Sequence, residues 1–343
     1  MSEEKLNLNK LVLHPKFNDT INELNRLRIQ LPEHPLQTDL DFHLYNFPDN
    51  GEIITNIEEI KSYTLNAKKG QKLSRGEIII SAYDESINKF SSLEGEAVLI
   101  SHSQVIHRTY DYIPSNYLTF YFYTRSKNYA QKSRYIKYSK EPEIESKKDY
   151  AIDRTLFIEN NTPNNAIMFI DWPLIGKQMS SYTIELNNNL LKKNVVPIFF
   201  IKNSSSDLVT SHIKEIKNEY NSDMHWAFNF LKVGQRTNFF KYVDKYNKQN
   251  GKIFCYLKTF NVSPQRVEFH INTFKKYQDL LSDLMDLIYY LQLVQGDPKD
   301  PQLRTIKIAE KYARETLKLI NLTSLMRRAG IVPTINQERF GFG

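Results

Sequence analysis

Five apolar residues in succession, Ala166-Ile167-Met168-Phe169-Ile170, run directly into Asp171. A short run that is apolar at every position reads as a strand covered on both faces. Residues 178–193 read as a helix, and Val195-Val196-Pro197-Ile198-Phe199-Phe200-Ile201 reads as a second buried strand. Strand, helix and strand in that order predict a crossover unit in an α/β sheet.

The flanking sequence extends that sheet. Glu77–Ser81, Glu96–Ile100 and the aromatic run Leu118–Tyr123 read as three strands, the last from its β-branched and aromatic content. Ile253–Leu257 and Arg266–Phe269 read as two more, joined by a turn. Residues 139–165 are charged and then rich in Asn and Pro, which predicts a loop or a poorly formed helix. Lys69–Gly76 reads as a glycine turn between two strands. Residues 1–45, with Ile21, Leu24, Leu27 and Ile29, have roughly helical spacing. From Phe274 through Leu291 apolar residues recur at threes and fours, Gly296-Asp297-Pro298 stops that helix, and another begins near Gln302. Two regions result: an N-terminal extension over 1–75, and a mixed α/β domain over 76–343 whose helical part starts near residue 270.

The charge is uneven. The chain of 343 residues carries +7. Residues 241–343 hold 17 Lys/Arg and 10 Asp/Glu, whereas the first 240 hold 29 of each. An excess confined to the last third suits a polyanion such as nucleic acid. The single cysteine, Cys255, excludes an internal disulfide and a cysteine-based zinc cage. With no apolar run of the ~20 residues a membrane span needs, and a polar, acidic start, the reading is a soluble cytoplasmic protein without a membrane partner.

Several segments, in order, resemble the NurA family of DNA-end-processing nucleases. Ser101-His102-Ser103-Gln104-Val105 lies where that family has Asp-Gly-Ser-Gln and an aliphatic residue, followed by His107-Arg108. Asp171-Trp172-Pro173-Leu174 resembles its Asp-Gly-Pro-Leu, and Ile201-Lys202-Asn203-Ser204 its Val-Lys-Asp-Ser. Gly234-Gln235-Arg236-Thr237 is similar to Gly-Glu-Arg-Ser. Tyr256-Leu257-Lys258 and Arg266-Val267-Glu268-Phe269 are similar to two further family strands. The resemblance spans about residues 96–320. It implies an RNase H-like α/β fold and a two-metal site for Mn2+ or Mg2+. It also implies a homodimer with a central channel and a HerA-type hexameric translocase as partner on broken DNA ends.

Two-metal hydrolysis needs carboxylates converging on ions ~3.5–4 Å apart. In the family these come from the Asp of Asp-Gly-Ser, the Asp of Asp-Gly-Pro and a helix Glu between them. The resemblance assigns Asp171 to the second position and as the metal ligand. Ser101 falls at the first, where a neutral hydroxyl is a poor bridging ligand. Glu159 is the best-placed helix carboxylate. His102 and His107 read as core or surface residues. Trp172 replaces a small glycine, where its bulk would fill space near the ions. Gly296 and Pro298 keep part of a Gly-Tyr-Pro signature, but Ile306-Lys307 or Ala309-Glu310 stands where Ala-His is expected.

Arg304, Lys307, Lys311, Arg314 and Lys318 follow spacings of 3, 4, 3 and 4, so they share a helical face opposite Leu303, Ile306, Leu317 and Ile320. That row suits a phosphate backbone, or forms a solvated face with Lys311 and Glu315 as a local pair. Lys202 and Lys258, at strand ends, resemble family lysines that would contact phosphate. Asp279, Asp283 and Asp286 line one face of the preceding helix and would complement the basic row. Three functions follow. One is a member with a degraded site that binds DNA and a HerA-type translocase or an active NurA paralogue, with weak or no nuclease activity. Another is an active manganese-dependent single-strand endonuclease and 5′-to-3′ exonuclease in DNA double-strand break repair. The third is an interaction protein that has lost DNA as well.

Overall fold

The structure is a computed structural model. It describes residues 53–334 apart from 77, 109–110, 132, 176–178, 203, 214–215, 217–218 and 244–249. The helical spacing read in residues 1–45 lies outside these.

Two short strands, β1 (Ile53–Asn56) and β2 (Tyr63–Thr64), precede the helix α1 (Ala67–Ser74). Three long strands follow: β3 (Ile79–Ser91), β4 (Glu96–Arg108) and β5 (Asp111–Thr124). A one-turn helix α2 (Lys127–Ala130) and the strand β6 (Ile136–Tyr138) lead to α3 (Pro142–Asn161). The crossover unit is β7 (Ala166–Ile170), α4 (Ser180–Lys192) and β8 (Val196–Ile201). Next come α5 (Asp223–Phe230), β9 (Gln235–Arg236), β10 (Phe240–Val243), β11 (Gly251–Lys258) and β12 (Gln265–His270). The chain closes with α6 (Ile271–Lys276), α7 (Leu281–Gln295), α8 (Arg304–Leu317) and α9 (Leu322–Arg328).

The described strands join in one sheet, in the order β1-β10-β11-β12-β8-β7-β3-β4-β5-β6, with β9 bridging β11 and β2. At its heart β3, β4 and β5 form an antiparallel meander, β7 lies parallel to β3, and β8 lies parallel to β7. This is the RNase H-like mixed sheet that the resemblance implied. Alternation along each strand then divides the core. Ile80, Ala82, Ile167, Phe169, Ile198 and Phe200 pack beneath α7 and the start of α8. Tyr83, Met168, Ile170 and Phe199 pack with residues of α3 and α4 on the other face.

Three expectations are corrected. Residues 139–165 hold a twenty-residue helix, α3. Its buried side carries Ser146, Asp149, Asp153, Arg154 and Thr155, so polar residues occupy the positions where an apolar stripe would have announced it. Lys69–Gly76 is not a hairpin: α1 covers most of it, capped by Asn66, whose side chain accepts the Lys69 N–H at 3.1 Å. Strands β3 and β4 each run 13 residues, well past Ser81 and Ile100, because they keep pairing from Ile80 opposite His107 to Ser91 opposite Glu96. Residues 53–74 also join the larger body, since β1 pairs with β10 and β2 with β9.

Candidate active site

The alternation that buries Ile80 and Ala82 under α7 and α8 continues to Asp84, and that of Ile167 and Phe169 continues to Asp171. The register places these two acids side by side. Tyr83 is opposite Ile170 on the neighbouring parallel strand, so Asp84 and Asp171 are the next pair, on strands ~4.8 Å apart. Lys202, just beyond β8, extends the same face and forms an ion pair with Asp171. Glu310, on α8, lies 4.0 Å from the Lys202 ammonium. Strands β3, β7 and β8 and helix α8 thus each contribute one charged side chain.

The electrostatics follow from crowding. Asp84 is almost fully buried and accepts the Glu85 backbone N–H at 2.8 Å. Burial, then the charges of Glu85 and Asp171, push its carboxyl up to about 8, against the pull of Lys202. Burial also raises Asp171, with Lys202 opposing. Burial works against the Lys202 ammonium, yet Asp171, Asp84 and Glu310 hold it above its usual range. A buried carboxyl beside a half-buried one is costly unless a cation joins them. Among the described residues no three His, Cys, Asp or Glu side chains are already drawn round a common point; the cation at the centre is Lys202. The oxygen donors of Asp84, Asp171 and Glu310 nevertheless suit a hard divalent ion such as Mg2+ or Mn2+.

Behind the acid pair, on the α3 side, lies a second charged group. Burial raises the Glu85 carboxyl to about 7, while Arg154 and Tyr150 favour its ionised form. Arg154 is fully buried. It donates to Thr183 Oγ1 at 2.8 Å, and its guanidinium lies 5.4 Å from the Tyr150 ring centre and 5.3 Å from that of Trp172. The loop after Asp171 is fixed from below: the Leu174 N–H donates to Glu268 at 2.9 Å. Glu268 is itself buried between Lys252 (2.5 Å) and Arg266 (2.9 Å).

A sequence profile of the NurA domain matches residues 78–314. The chain belongs to the NurA family. No curated protein sequence matches it. Solved structures similar to it include the NurA nuclease from Sulfolobus solfataricus, at 12% identity over 78% of this chain and 88% of that one, with a TM-score of 0.44. Endonuclease V of Ciona intestinalis, in complex with a 24mer DNA containing an inosine followed by a ribo-adenosine, is 13% identical over 89% of this chain and 98% of that one, with a TM-score of 0.35. A NurA structure with manganese is 8% identical over 76% and 96%, with a TM-score of 0.37.

Within this NurA-family fold, the expected site residues separate. Asp171 and Lys202 meet. Ser101 does not: it sits on β4, opposite Ser86, with β3 between it and β7. The acid beside Asp171 is Asp84, from a stretch where the sequence reading had already ended the strand. Glu159 is also displaced. It lies in the last turns of α3, a helix that ends just before β7 begins, so it stands near the start of β7 while Asp171 follows its end. There it accepts a hydrogen bond from Asn189 at 2.8 Å. The other α3 acids, Asp149 and Asp153, bond Tyr123 and Tyr121 of β5. Trp172 turns away from the acid pair to face Arg154 and Tyr150.

His102 is a core residue, as read. Its Nδ1 lies 2.7 Å from the Tyr83 hydroxyl, and its ring stacks on Tyr117 and Tyr150. Burial, then Arg154, lowers its pKa to about 3. Lys258 donates to the Phe228 carbonyl at 2.8 Å, on a strand separated from β7 by β12 and β8. The basic row on α8 is largely committed. Lys307 pairs with Asp300 (3.1 Å), Arg314 with Glu310 and Lys318 with Glu315 (2.7 Å), while Arg304 lies over Tyr112. Lys311 is exposed. The acids of α7 do not face this row: Asp283 pairs with Lys69, and Asp286 accepts the Asn66 N–H at 2.8 Å, tying down α1.

Proposed function

We propose that this NurA-family protein is a divalent-metal-dependent nuclease of DNA ends, with Asp84, Asp171 and Glu310 as its carboxylates and Lys202 as its phosphate contact. The observation that carries this reading is the pairing of Asp84 with Asp171 on adjacent parallel strands. The expectation of a degraded site rests on Ser101 at the first acid, Trp172 in place of glycine and the missing histidine together; Asp84 beside Asp171 weighs against the first of these. Bound there, Mn2+ or Mg2+ would supply an activated water and charge stabilisation at the phosphate. The chain's own groups would do the rest. Asp84 and Asp171 would hold the ion. Lys202, exchanging Asp171 for a phosphate oxygen, would offset the charge developing there. Glu310 keeps that ammonium within reach.

Cleavage of a 5′-labelled single strand with Mn2+ tests this. The native chain and Ser101→Ala should cut alike, while Asp84→Asn and Asp171→Ala lose at least ~100-fold, the scale of one lost transition-state interaction. Equal cutting by the native chain and Asp84→Asn would remove Asp84 from the site. The second reading, a member that binds DNA without cutting it, is favoured by the ion pair that already engages Lys202 with Asp171. DNA bound but uncut by every protein would select it. The family resemblance further implies a homodimer and a HerA-type translocase. Mass measurement in solution and co-migration with such a translocase test these two.

A further inference from the structure

The stretch Arg125–Lys140 contains six Lys/Arg residues and no acid. It comprises the connection from β5 to β6 and β6 itself. Among the described residues, the exposed Phe, Tyr and Trp side chains are Tyr129 (42%), Tyr135 (47%) and Tyr138 (39%), and all three belong to this stretch. The other Phe, Tyr and Trp side chains among the described residues are buried or half-buried. Arg125, Lys127 and Arg134 are exposed between these rings. Arg134 lies 4.8 Å from the ring centre of Tyr135, and Lys127 lies 5.8 Å from that of Tyr138. Lys137 is excluded, since it is committed to Asp149 at 2.6 Å.

Exposed rings alternating with cations are what an unpaired nucleic acid strand requires. Bases stack on the rings and phosphates meet the charges, without regard to sequence. A duplex hides its base faces and would use the cations alone. Strands β5 and β6 run in the same direction as β3, β7 and β8. The stretch leaves the sheet after Thr124 and rejoins it at Ile136, opposite Phe122, at the far end of the β3–β4–β5 meander from Asn116, which shares the level of Asp84 through Ser103.

We infer that the Arg125–Tyr138 segment is a single-stranded nucleic acid binding surface, with Tyr129, Tyr135 and Tyr138 as stacking platforms and Arg125, Lys127 and Arg134 as phosphate contacts. It rests on the nuclease reading only in taking nucleic acid as the polyanion, and needs no catalysis. Fluorescence anisotropy with labelled oligo(dT) and a blunt duplex, in chelator and across a salt range, tests it on the full chain. Replacing the three tyrosines by alanine should weaken oligo(dT) binding by at least ~10-fold and leave the duplex unchanged. Replacing the three cations by alanine should weaken both and lower the slope of log affinity against log salt by ~2 for the single strand. Native oligo(dT) affinity in the tyrosine variant, or an equal loss for duplex, would overturn the inference. Mn2+-dependent hydrolysis of bis(p-nitrophenyl) phosphate, a diester too small to span this segment, separates the two claims. Both variants should retain it. Its absence from the native chain would count against the nuclease reading and leave the binding result standing.

Discussion

Asp84 is the residue on which the proposed site turns, and its protonation has a direct consequence for stability. Its carboxyl is raised to about 8 when folded, against about 4 in an unfolded chain. Between those values the folded protein holds a proton that the unfolded chain has released. The group's contribution to stability is therefore complete below about pH 4 and lost as pH rises through about 8. Glu85, raised to about 7, acts in the same direction. The metal-free protein should lose melting temperature from pH 5 to 9, and Asp84→Asn should flatten that decline by ~3 °C or more. Parallel curves for the two proteins would show that Asp84 titrates normally. A divalent ion binding at the proposed site would have to displace the proton, so its apparent affinity should rise over the same range. Glu268 matters for a different reason. Replacing it with Gln leaves Lys252 and Arg266 buried without their counter-charge and weakens the anchor of Leu174. A loss of ~3–5 kcal/mol is expected in urea unfolding. A loss below ~1 kcal/mol would mean that the two cations find other partners.

Among the elements, α1 shows how a helix of eight residues is held. Isolated, it would not form. Asn66 caps it from within, while the Asn66 N–H bond to Asp286, the Lys69–Asp283 ion pair and the close approach of Gly70 bind it to α7. A Cβ added at Gly70 would stand 2.1 Å from the Asp286 carbonyl oxygen. Helix propensity favours alanine over glycine by ~1 kcal/mol, whereas forced overpacking costs ~1–3 kcal/mol. Gly70→Ala should therefore be destabilised, and a stabilised variant in chemical unfolding would show that α1 can move aside. Helix α3 carries the opposite lesson. Its buried Asp149, Asp153 and Arg154 find hydrogen-bond partners on other elements, in Tyr123 and Lys137, Tyr121 and Thr183.

At the scale of the whole molecule, residues 53–75 are bound into the sheet from outside the profile match. Glu58 pairs with Arg236 at 2.7 Å and accepts the Phe239 N–H at 2.8 Å, and Leu65 belongs to the core beneath α7. A chain cut between residues 75 and 76 would expose the edge of β10 and part of that core. It should melt at least ~5 °C lower and self-associate through the uncovered edge, as read by scanning calorimetry and light scattering. Unchanged melting would make 53–75 an appendage, as the sequence boundary at residue 75 suggested. No helix among the described residues is long and apolar enough to cross a membrane.

The sequence by itself determined the crossover unit, the α/β class and the family, because these rest on local patterns: unbroken apolar runs, helical spacing, and short motifs in a fixed order. It also marked Asp171 and Lys202, each at the end of such a run. Only the tertiary structure decided which acid stands beside Asp171. That depends on strand register, and register is set by pairing between strands distant in the chain. Ser101 was aligned with the motif but lies one strand too far from β7, while Asp84, in Asp84-Glu85-Ser86, lies next to Asp171. Helix α3 was hidden for the same physical reason: its polar residues are buried, and their partners come from elsewhere in the fold.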